Sequence, residues 1–195
     1  MNIIYFVTSN NGKLIEAKEK FSEVDIDIVQ HNIGYPEIQA NNLEDVARYG
    51  LEYLKYKIDG PYIIEDAGLF IDSLDGFPGV YSSYVYHTIG CKGILKLMEK
   101  TKGNNRRAIF KSVFAYMGND GKSRYFVGEC IGKISDKEIG ENGFGYDPIF
   151  IPEGEKRTFA EIDINKKNNF SHRGKSLEKL FDFLKKQQIY KFKSK

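Results

Sequence analysis

The sequence predicts an α/β protein built on a mixed β-sheet, and two observations support this prediction. The apolar segment 2–7 has the pattern of a buried strand, and a polar turn (residues 8–13) and an amphipathic helix follow it. Further along, two long strand patterns at 109–117 and 125–134 flank Gly118-Asn-Asp-Gly121, a strong hairpin signal. A hairpin pairs its strands antiparallel, so we expect a mixed sheet rather than a purely parallel one.

Length and composition indicate an ordinary globular protein. The chain has 195 residues, of which 41% are hydrophobic and 29% are charged. Its net charge of only +2 gives no strong electrostatic case for a stable nucleic-acid partner. We expect a single domain over residues 1–190, followed by a basic C-terminal tail, 191–195, that extends a locally basic and solvated terminus.

Cysteine usage and hydropathy bear on the compartment. Cys91 and Cys130 lie far apart and lack CxxC spacing, so they predict neither a disulfide framework nor a zinc site. No apolar stretch reaches the length of a transmembrane helix, and no basic region precedes a signal-type segment at the N-terminus. We therefore expect a cytoplasmic protein with no membrane partner.

The turn after the first strand is the first candidate site. A strand, a glycine-containing turn and a helix in succession aim free backbone N–H groups and the positive end of the helix dipole at the turn. An anion there would meet the polar groups of Thr8, Ser9, Asn10 and Lys13. The turn lacks the GxxxxGK[ST] spacing of a Walker loop. From the turn alone, an anion site and a capped helix start that binds nothing are equally supported.

A pair of adjacent acids is the second candidate. The short apolar run 62–64 predicts a buried strand that ends in Glu65 and Asp66. Carboxylates at the mouth of a buried strand are costly unless a lysine or a metal ion meets them. The alternative is a solvated turn in which Asp66 caps the bend before Gly68. On this stretch alone the two interpretations again carry equal weight.

Another acid, Glu37, precedes the next helix. Pro36 keeps the residue before it extended, so Glu37 belongs to an irregular segment, where an acid is usually just exposed. Asn42 is a plausible N-cap for the helix that follows. The residues that this helix is expected to bury are Leu43, Val46, Ala47, Leu51 and Leu54.

Two motifs near the C-terminus complete the candidates. In 143–148 two glycines bracket Phe144, so the backbone there can bend sharply and present a ring face. Further on, Ser171 is a reasonable cap for a helix and places His172 and Arg173 at its entrance. The expected buried face of that helix consists of Leu177, Leu180, Phe181 and Leu184.

Taken together, five motifs resemble, in order, those of the inosine triphosphate pyrophosphatase family, which removes deaminated purine nucleoside triphosphates. These motifs are residues 8–13, 35–39, 65–69 with 76–82, 144–147 and 171–173. Each motif alone is weak, but five in the same order along nearly the whole chain are specific. The tail beyond Gln188 lies outside the resemblance.

The resemblance implies an elongated mixed sheet flanked by helices, with two lobes around a central cleft. It also implies a homodimer, Mg²⁺ as cofactor and a small-molecule nucleotide substrate (ITP, dITP or XTP). The implied reaction is hydrolysis of the α–β phosphate bond to the monophosphate and pyrophosphate.

Residue roles follow from the same resemblance. Asp66 resembles the general base and a metal-side carboxylate, and Glu37 resembles a metal ligand, while Glu65 supplies another hard oxygen that suits Mg²⁺. Phosphates would be held by the first loop, with Lys167 nearby; the loop residues are Thr8, Ser9, Asn10, Asn11, Gly12 and Lys13.

The base side is implied by the last two motifs. Phe144 would stack on the purine, next to Gly145 and Tyr146 of the same loop, and the residues expected to read the edge of the base are Asp147, His172 and Arg173. Many relatives carry a hydroxyl residue after the central aspartate, but this chain has Ala67, which leaves only a backbone contact there.

Two alternatives remain at this stage. A Maf-like nucleotide pyrophosphatase would share the fold type and the metal chemistry but favour other bases, and residues 144–147 and 171–173 argue against it. A non-catalytic nucleic-acid-binding domain could use the 14 phenylalanines, the 13 tyrosines and the basic tail. Such a domain needs a basic groove, which the nearly balanced net charge does not favour.

Overall fold

The computed structural model describes the backbone of residues 2–193 and, within it, the side chains of residues 3–187. In chain order the strands and α-helices are β1 (Asn2–Val7), α1 (Asn11–Phe21), β2 (Ile26–His31), α2 (Leu43–Leu54), β3 (Tyr62–Ile71), α3 (Ser82–Thr88), α4 (Gly90–Leu97), β4 (Arg107–Met117), β5 (Ser123–Ile134), β6 (Phe150–Pro152), α5 (Ile164–Asn168) and α6 (His172–Lys193). Short 3₁₀ turns lie at Asp72–Leu74, Gly79–Tyr81, Gly103–Arg106, Asp147–Ile149 and Phe159–Glu161.

The strands form one mixed sheet, as predicted. Its order is β2-β1-β3-β4-β5-β6. Strand β1 runs parallel to β2 and to β3, whereas β5 and β6 are antiparallel. Parallel neighbours require a crossover connection. Helix α1 connects β1 to its neighbour β2, and the connection from β1 to its other neighbour β3 contains α1, β2 and α2. No helix among residues 2–193 is both long enough and apolar enough to cross a membrane.

Strand β3 is longer than its apolar run suggests. The sequence predicted a strand that ends in Glu65 and Asp66, but β3 continues to Ile71, so the two acids lie within the strand. The prediction of a strand end at this point was wrong. Two acids break the apolar pattern, yet β3 has hydrogen-bonded neighbours on both sides, and Leu69 and Ile71 beyond the acids are fully buried.

The chain divides into two compact units, of which the first comprises residues 1–66, 113–127 and 175–195. Its core combines β1, β2, α1 and one face of α6, and the buried face predicted for α6 is confirmed. The residues buried in this core are Ile4, Phe6, Ala17, Phe21, Ile26, Ile28, Ile63, Phe114, Tyr116, Leu177, Leu180, Phe181 and Leu184. The predicted N-cap Asn42 and the five predicted buried residues of α2 are also confirmed.

The second unit comprises residues 67–112 and 128–174. Its core contains both cysteines, which are free and buried, so the prediction that they form no disulfide is confirmed. The other buried members of this core are Leu69, Ile71, Val85, Ile94, Met98, Ala108, Phe110, Ile134, Tyr146, Ile149, Phe150, Phe159 and Ile162.

The domain prediction stays a prediction. Helix α6 continues to Lys193, so residues 191–193 of the predicted tail are helical. Residues 194–195 of that tail lie outside the described residues.

Candidate active site

The turn before α1 is folded by its own polar groups. The side-chain oxygen of Asn10 caps the helix by accepting a hydrogen bond from Lys13 N at 3.1 Å, and Asn10 N donates to Thr8 Oγ1 at 3.1 Å. The capped helix start foreseen from the sequence is therefore present. Gly12 and Lys13 lie in the first turn of α1 and are partly exposed, while Ser9 and Asn11 are exposed to solvent. Whether the turn also binds an anion stays a prediction.

Lys13 joins this turn to the acidic part of β3. Its ammonium Nζ lies 2.5 Å from Glu65 Oε2 and donates a hydrogen bond to the Glu65 carbonyl oxygen at 3.1 Å. Glu65 is only 5% exposed, and a buried carboxylate of this kind needs a nearby positive charge. Lys13 thus supplies the positive charge that the sequence analysis expected beside the buried carboxylate of Glu65.

The hydroxyl group of Tyr35, a partly buried residue, indicates where the other acids lie. The pKa of Tyr35 is raised well above its ordinary value, first by burial and then by the charges of Asp66, Glu37 and Glu65. Three carboxylates from two separated segments therefore lie close enough to one hydroxyl group to affect its ionisation. The structure brings together in the first unit the acids and the lysine that the sequence singled out.

The oxygen donors of these acids bear on whether Mg²⁺ can bind here. No group of three or more His, Cys, Asp or Glu side chains that could hold a metal ion occurs among residues 2–193. In nucleotide enzymes, however, Mg²⁺ is usually held by one or two carboxylates, by substrate phosphates and by water. Glu37 and Asp66 provide oxygen donors of this type, whereas Glu65 already pairs with Lys13. The residues present fit a magnesium ion that is shared with a nucleotide.

In the second unit, the loop around Phe144 closes on Asp147. Phe144 N donates a hydrogen bond to Asp147 Oδ2 at 2.9 Å. Gly143 has a φ of +76°, and a Cβ at this position would lie 2.0 Å from Asp147 Oδ2, so only glycine allows this close approach. The Phe144 ring is 40% exposed and offers an aromatic surface.

Asp147 also forms a buried ion pair. Lys167 Nζ lies 2.6 Å from Asp147 Oδ2, and the two side chains are 5% and 4% exposed. Lys167 was expected near the phosphates and Asp147 at the edge of the base. In the structure Asp147 belongs to the loop that carries Phe144, Lys167 lies in α5, and the two side chains contact each other. Their predicted contacts with substrate stay predictions.

The start of α6 brings one further predicted residue, Arg173, to this loop. Ser171 Oγ accepts a hydrogen bond from Gly174 N at 3.0 Å, as expected of a helix cap. The Arg173 guanidinium lies 5.1 Å from the centre of the Phe144 ring. His172 stacks almost parallel on Phe110, with ring centres 4.5 Å apart. Packing therefore fixes the His172 ring.

Hydrogen bonds to buried residues support the rest of the loop. Tyr146 is buried and donates a hydrogen bond to the Ser82 carbonyl oxygen at 3.1 Å. The thiol of Cys91 donates to the carbonyl oxygen of Gly145 at 3.5 Å. Burial, followed by the charges of Glu138 and Asp147, raises the pKa of that thiol to about 12, so it stays protonated. Tyr146 and Cys91 therefore act as supports of the loop.

Sequence reasoning missed two residues of these groups. Nothing in the sequence connects Phe110 with His172, because the two are far apart in the chain. Tyr35 left a weak signal, since it lies two residues before Glu37 and next to a proline. Ala67, the remaining predicted contact, lies in β3 and is partly buried.

Comparison with known proteins supplies the family. The model of the Ham1 family matches residues 4–183 of this chain. The chain belongs to the Ham1 family. A relative from Pyrococcus horikoshii, named dITP/XTP pyrophosphatase, is 56% identical over 182 residues, which are 93% of this chain and 96% of the relative. A dITP/XTP pyrophosphatase from Thermococcus kodakarensis is 52% identical over 180 residues, or 92% of this chain and 96% of that protein.

Solved structures agree with the Ham1 assignment. A HAM1 protein from Coxiella burnetii is 30% identical and has a TM-score of 0.81, covering 95% of this chain and 100% of its own. The Ham1 protein of Staphylococcus aureus is 29% identical with a TM-score of 0.82 and the same two coverages. The family resemblance and the mixed sheet flanked by helices that were predicted from the sequence are thereby confirmed.

Proposed function

We propose that this Ham1-family chain is a Mg²⁺-dependent pyrophosphohydrolase that hydrolyses ITP, dITP and XTP to the monophosphate and pyrophosphate. Two relatives that are more than half identical over at least 92% of the chain bear the name dITP/XTP pyrophosphatase. The structural observation that carries the proposal is the Lys13–Glu65 ion pair in the first unit. Glu65, Asp66 and Glu37 also lie close enough to the Tyr35 hydroxyl to raise its pKa.

The phosphate side sets the chemistry. A nucleoside triphosphate repels an attacking hydroxide, and Mg²⁺, when bound, offsets that charge and makes water more acidic. Glu37 and Asp66 would hold the ion. Asp66 would also take the proton from the attacking water as general base. The Lys13 ammonium has three donors, so it can pair with Glu65 and still contact a phosphate oxygen. Asn10 and Thr8 lie in the same turn and would hold phosphates beside it.

The base side sets the selectivity. Hypoxanthine and xanthine carry a 6-oxo acceptor where adenine carries an amino donor. Donors from Arg173 or His172, both only 4% exposed, would lose their partner if adenine were bound. An unsatisfied buried polar group costs about 1–3 kcal/mol, which corresponds to one or two powers of ten per contact. Guanine shares the 6-oxo acceptor. These donors therefore discriminate against adenine but do not discriminate between guanine and the bases of the proposed substrates.

We further propose that the protein is a homodimer in the cytoplasm. Tyr81 and Tyr84 are 43% and 72% exposed, so they do not belong to the core of the described chain. An aromatic surface of this kind fits a self-association interface. The two buried free thiols fit a reducing compartment.

One substrate panel tests the proposal. Pyrophosphate release would be measured from ITP, dITP, XTP, GTP and ATP, with Mg²⁺ and with EDTA. We expect fast release from ITP, dITP and XTP, slow release from ATP, and none without Mg²⁺. A preference for standard bases would favour a Maf-like enzyme. Salt-dependent binding to oligonucleotides without pyrophosphate release would favour a nucleic-acid-binding domain.

A further inference from the structure

The segment that carries Glu37 has little regular structure of its own. Residues 32–41 form no helix or strand, and Glu37 is exposed. No turn or loop hydrogen bond between backbone groups involves this stretch within the part of the chain that the structure describes. A carboxylate that must bind a metal ion in a defined geometry needs support from neighbouring residues. Side-chain packing has to supply that support here.

The Tyr35 ring packs against regular structure, at Gly50 of α2. Gly50 lies in the middle of α2, and a Cβ built on it would come within 2.8 Å and 2.9 Å of two ring carbons of Tyr35. The same Cβ would lie 2.7 Å from Ile64 Cδ1, which belongs to β3. The Tyr35 ring therefore sits in a slot that exists because position 50 has no side chain.

A glycine at this position is otherwise unfavourable. Gly50 is the only glycine in α2, and its neighbours form a strongly amphipathic helix. Glycine in the middle of a helix is less stable than alanine, because its backbone loses more conformational freedom. Gly50 has no positive φ that would call for glycine. Room for the Tyr35 ring and for the Ile64 side chain is the feature of this site that requires it.

The slot also determines where the segment goes next. Pro36 follows Tyr35 directly and fixes the backbone between the ring and Glu37. An anchored ring, a rigid proline and the acid therefore follow one another over three residues.

We propose that Tyr35 is a positioning residue, whose ring in the slot opposite Gly50 anchors the 34–37 segment and thereby places the Glu37 carboxylate for the metal ion. The inference rests on the proposed function for the role of Glu37. The packing itself does not depend on that role.

Three variants of the full chain test the slot and the ring separately. Gly50→Ala fills the slot, Tyr35→Ala removes the ring, and Tyr35→Phe keeps the ring but removes the hydroxyl. Tyr49→Ala removes an exposed tyrosine beside Gly50 on the same helix and is the matched control. Circular dichroism and thermal melts establish that each variant is folded. If Gly50→Ala does not fold, Tyr35→Ala carries the test, because Tyr35 is partly exposed on an irregular segment.

The first measurement needs neither metal nor nucleotide. Endoproteinase Glu-C cleaves after glutamate, and mass spectrometry follows cleavage at the Glu37–Ile38 bond. Cleavage requires the local segment to detach from its packing. We expect cleavage about tenfold faster in Gly50→Ala and Tyr35→Ala than in the parent. Tyr35→Phe and Tyr49→Ala should be cleaved at the rate of the parent. Equal rates in all five proteins would overturn the proposal.

The second measurement is the Mg²⁺ concentration that gives half-maximal pyrophosphate release from ITP. Loss of a group that orients a metal ligand typically lowers metal affinity about 10–100-fold. We expect the required Mg²⁺ concentration to increase about 10-fold or more in Gly50→Ala and Tyr35→Ala but not in Tyr49→Ala. Faster cleavage with an unchanged Mg²⁺ requirement would overturn the positioning role. A parent protein that releases no pyrophosphate would instead reject the proposed function, and the cleavage result would still report on the anchor.

Discussion

At the scale of single residues, Asp66 is the most direct test of the proposed chemistry. Asn has the shape of Asp but cannot accept the proton of the attacking water. We expect Asp66→Asn to lower kcat for ITP by about two to four orders of magnitude and to leave the fold intact. Stopped assays of pyrophosphate release, together with a thermal melt, check both statements. Near-normal turnover in a folded Asp66→Asn protein would remove Asp66 from its role.

Arg173 tests the selectivity of the base side. Its guanidinium lies against the ring that is proposed to stack on the purine. Removing a donor that pairs with the 6-oxo group weakens ITP hydrolysis and removes a penalty against adenine. We expect Arg173→Ala to lower the ratio of kcat/KM for ITP to that for ATP by about tenfold or more. The control is Arg157→Ala, which removes an exposed arginine that pairs with Glu155. An unchanged ITP to ATP ratio in Arg173→Ala would contradict the assignment.

At the scale of elements, the Asp147–Lys167 pair joins α5 to the loop of Phe144. Both side chains are buried, so removing the lysine leaves an uncompensated charge. We expect Lys167→Met to destabilise the protein by about 3 kcal/mol in urea unfolding. The double variant Lys167→Met/Asp147→Asn should recover part of that loss, because asparagine still accepts the hydrogen bond from Phe144 N without carrying a charge. A double variant less stable than Lys167→Met would show that the pair does not act in this way.

The elements also show what local sequence can and cannot determine. Helix α2 was predicted down to its cap, because the Asn42 cap and the 3.6-residue apolar period are both local signals. The length of β3 was not predicted, because β3 is hydrogen-bonded to strands that are distant in the sequence. For the same reason, the contacts of His172 with Phe110 and of Tyr35 with Gly50 had no signature. The chemical types of the site residues were predictable, and their packing partners were not.

At the scale of the whole molecule, exposed apolar side chains predict that the protein self-associates. Five large apolar side chains within residues 77–89 are each at least 38% exposed. They are Phe77, Tyr81, Tyr84, Tyr86 and Ile89. A stable monomer rarely exposes many such residues in so short a segment. A charge placed among aromatic residues that a second copy covers would be buried without a partner. We therefore expect the parent protein to be a dimer and Tyr84→Glu to be a monomer.

Tyr56 offers a matched control for this prediction, because it is also a tyrosine, is 90% exposed and lies in the first unit. Tyr56→Glu introduces the same charge at a position outside the aromatic segment, so this variant should remain dimeric. Light scattering coupled to size-exclusion chromatography gives the molar mass of the parent and of both variants at the same micromolar concentration. A chain mass of 22.4 kDa makes monomer and dimer easy to distinguish. A parent that elutes as a monomer, or two variants that both dissociate, would contradict the proposed interface, because the effect would then not depend on the segment that carries Tyr84.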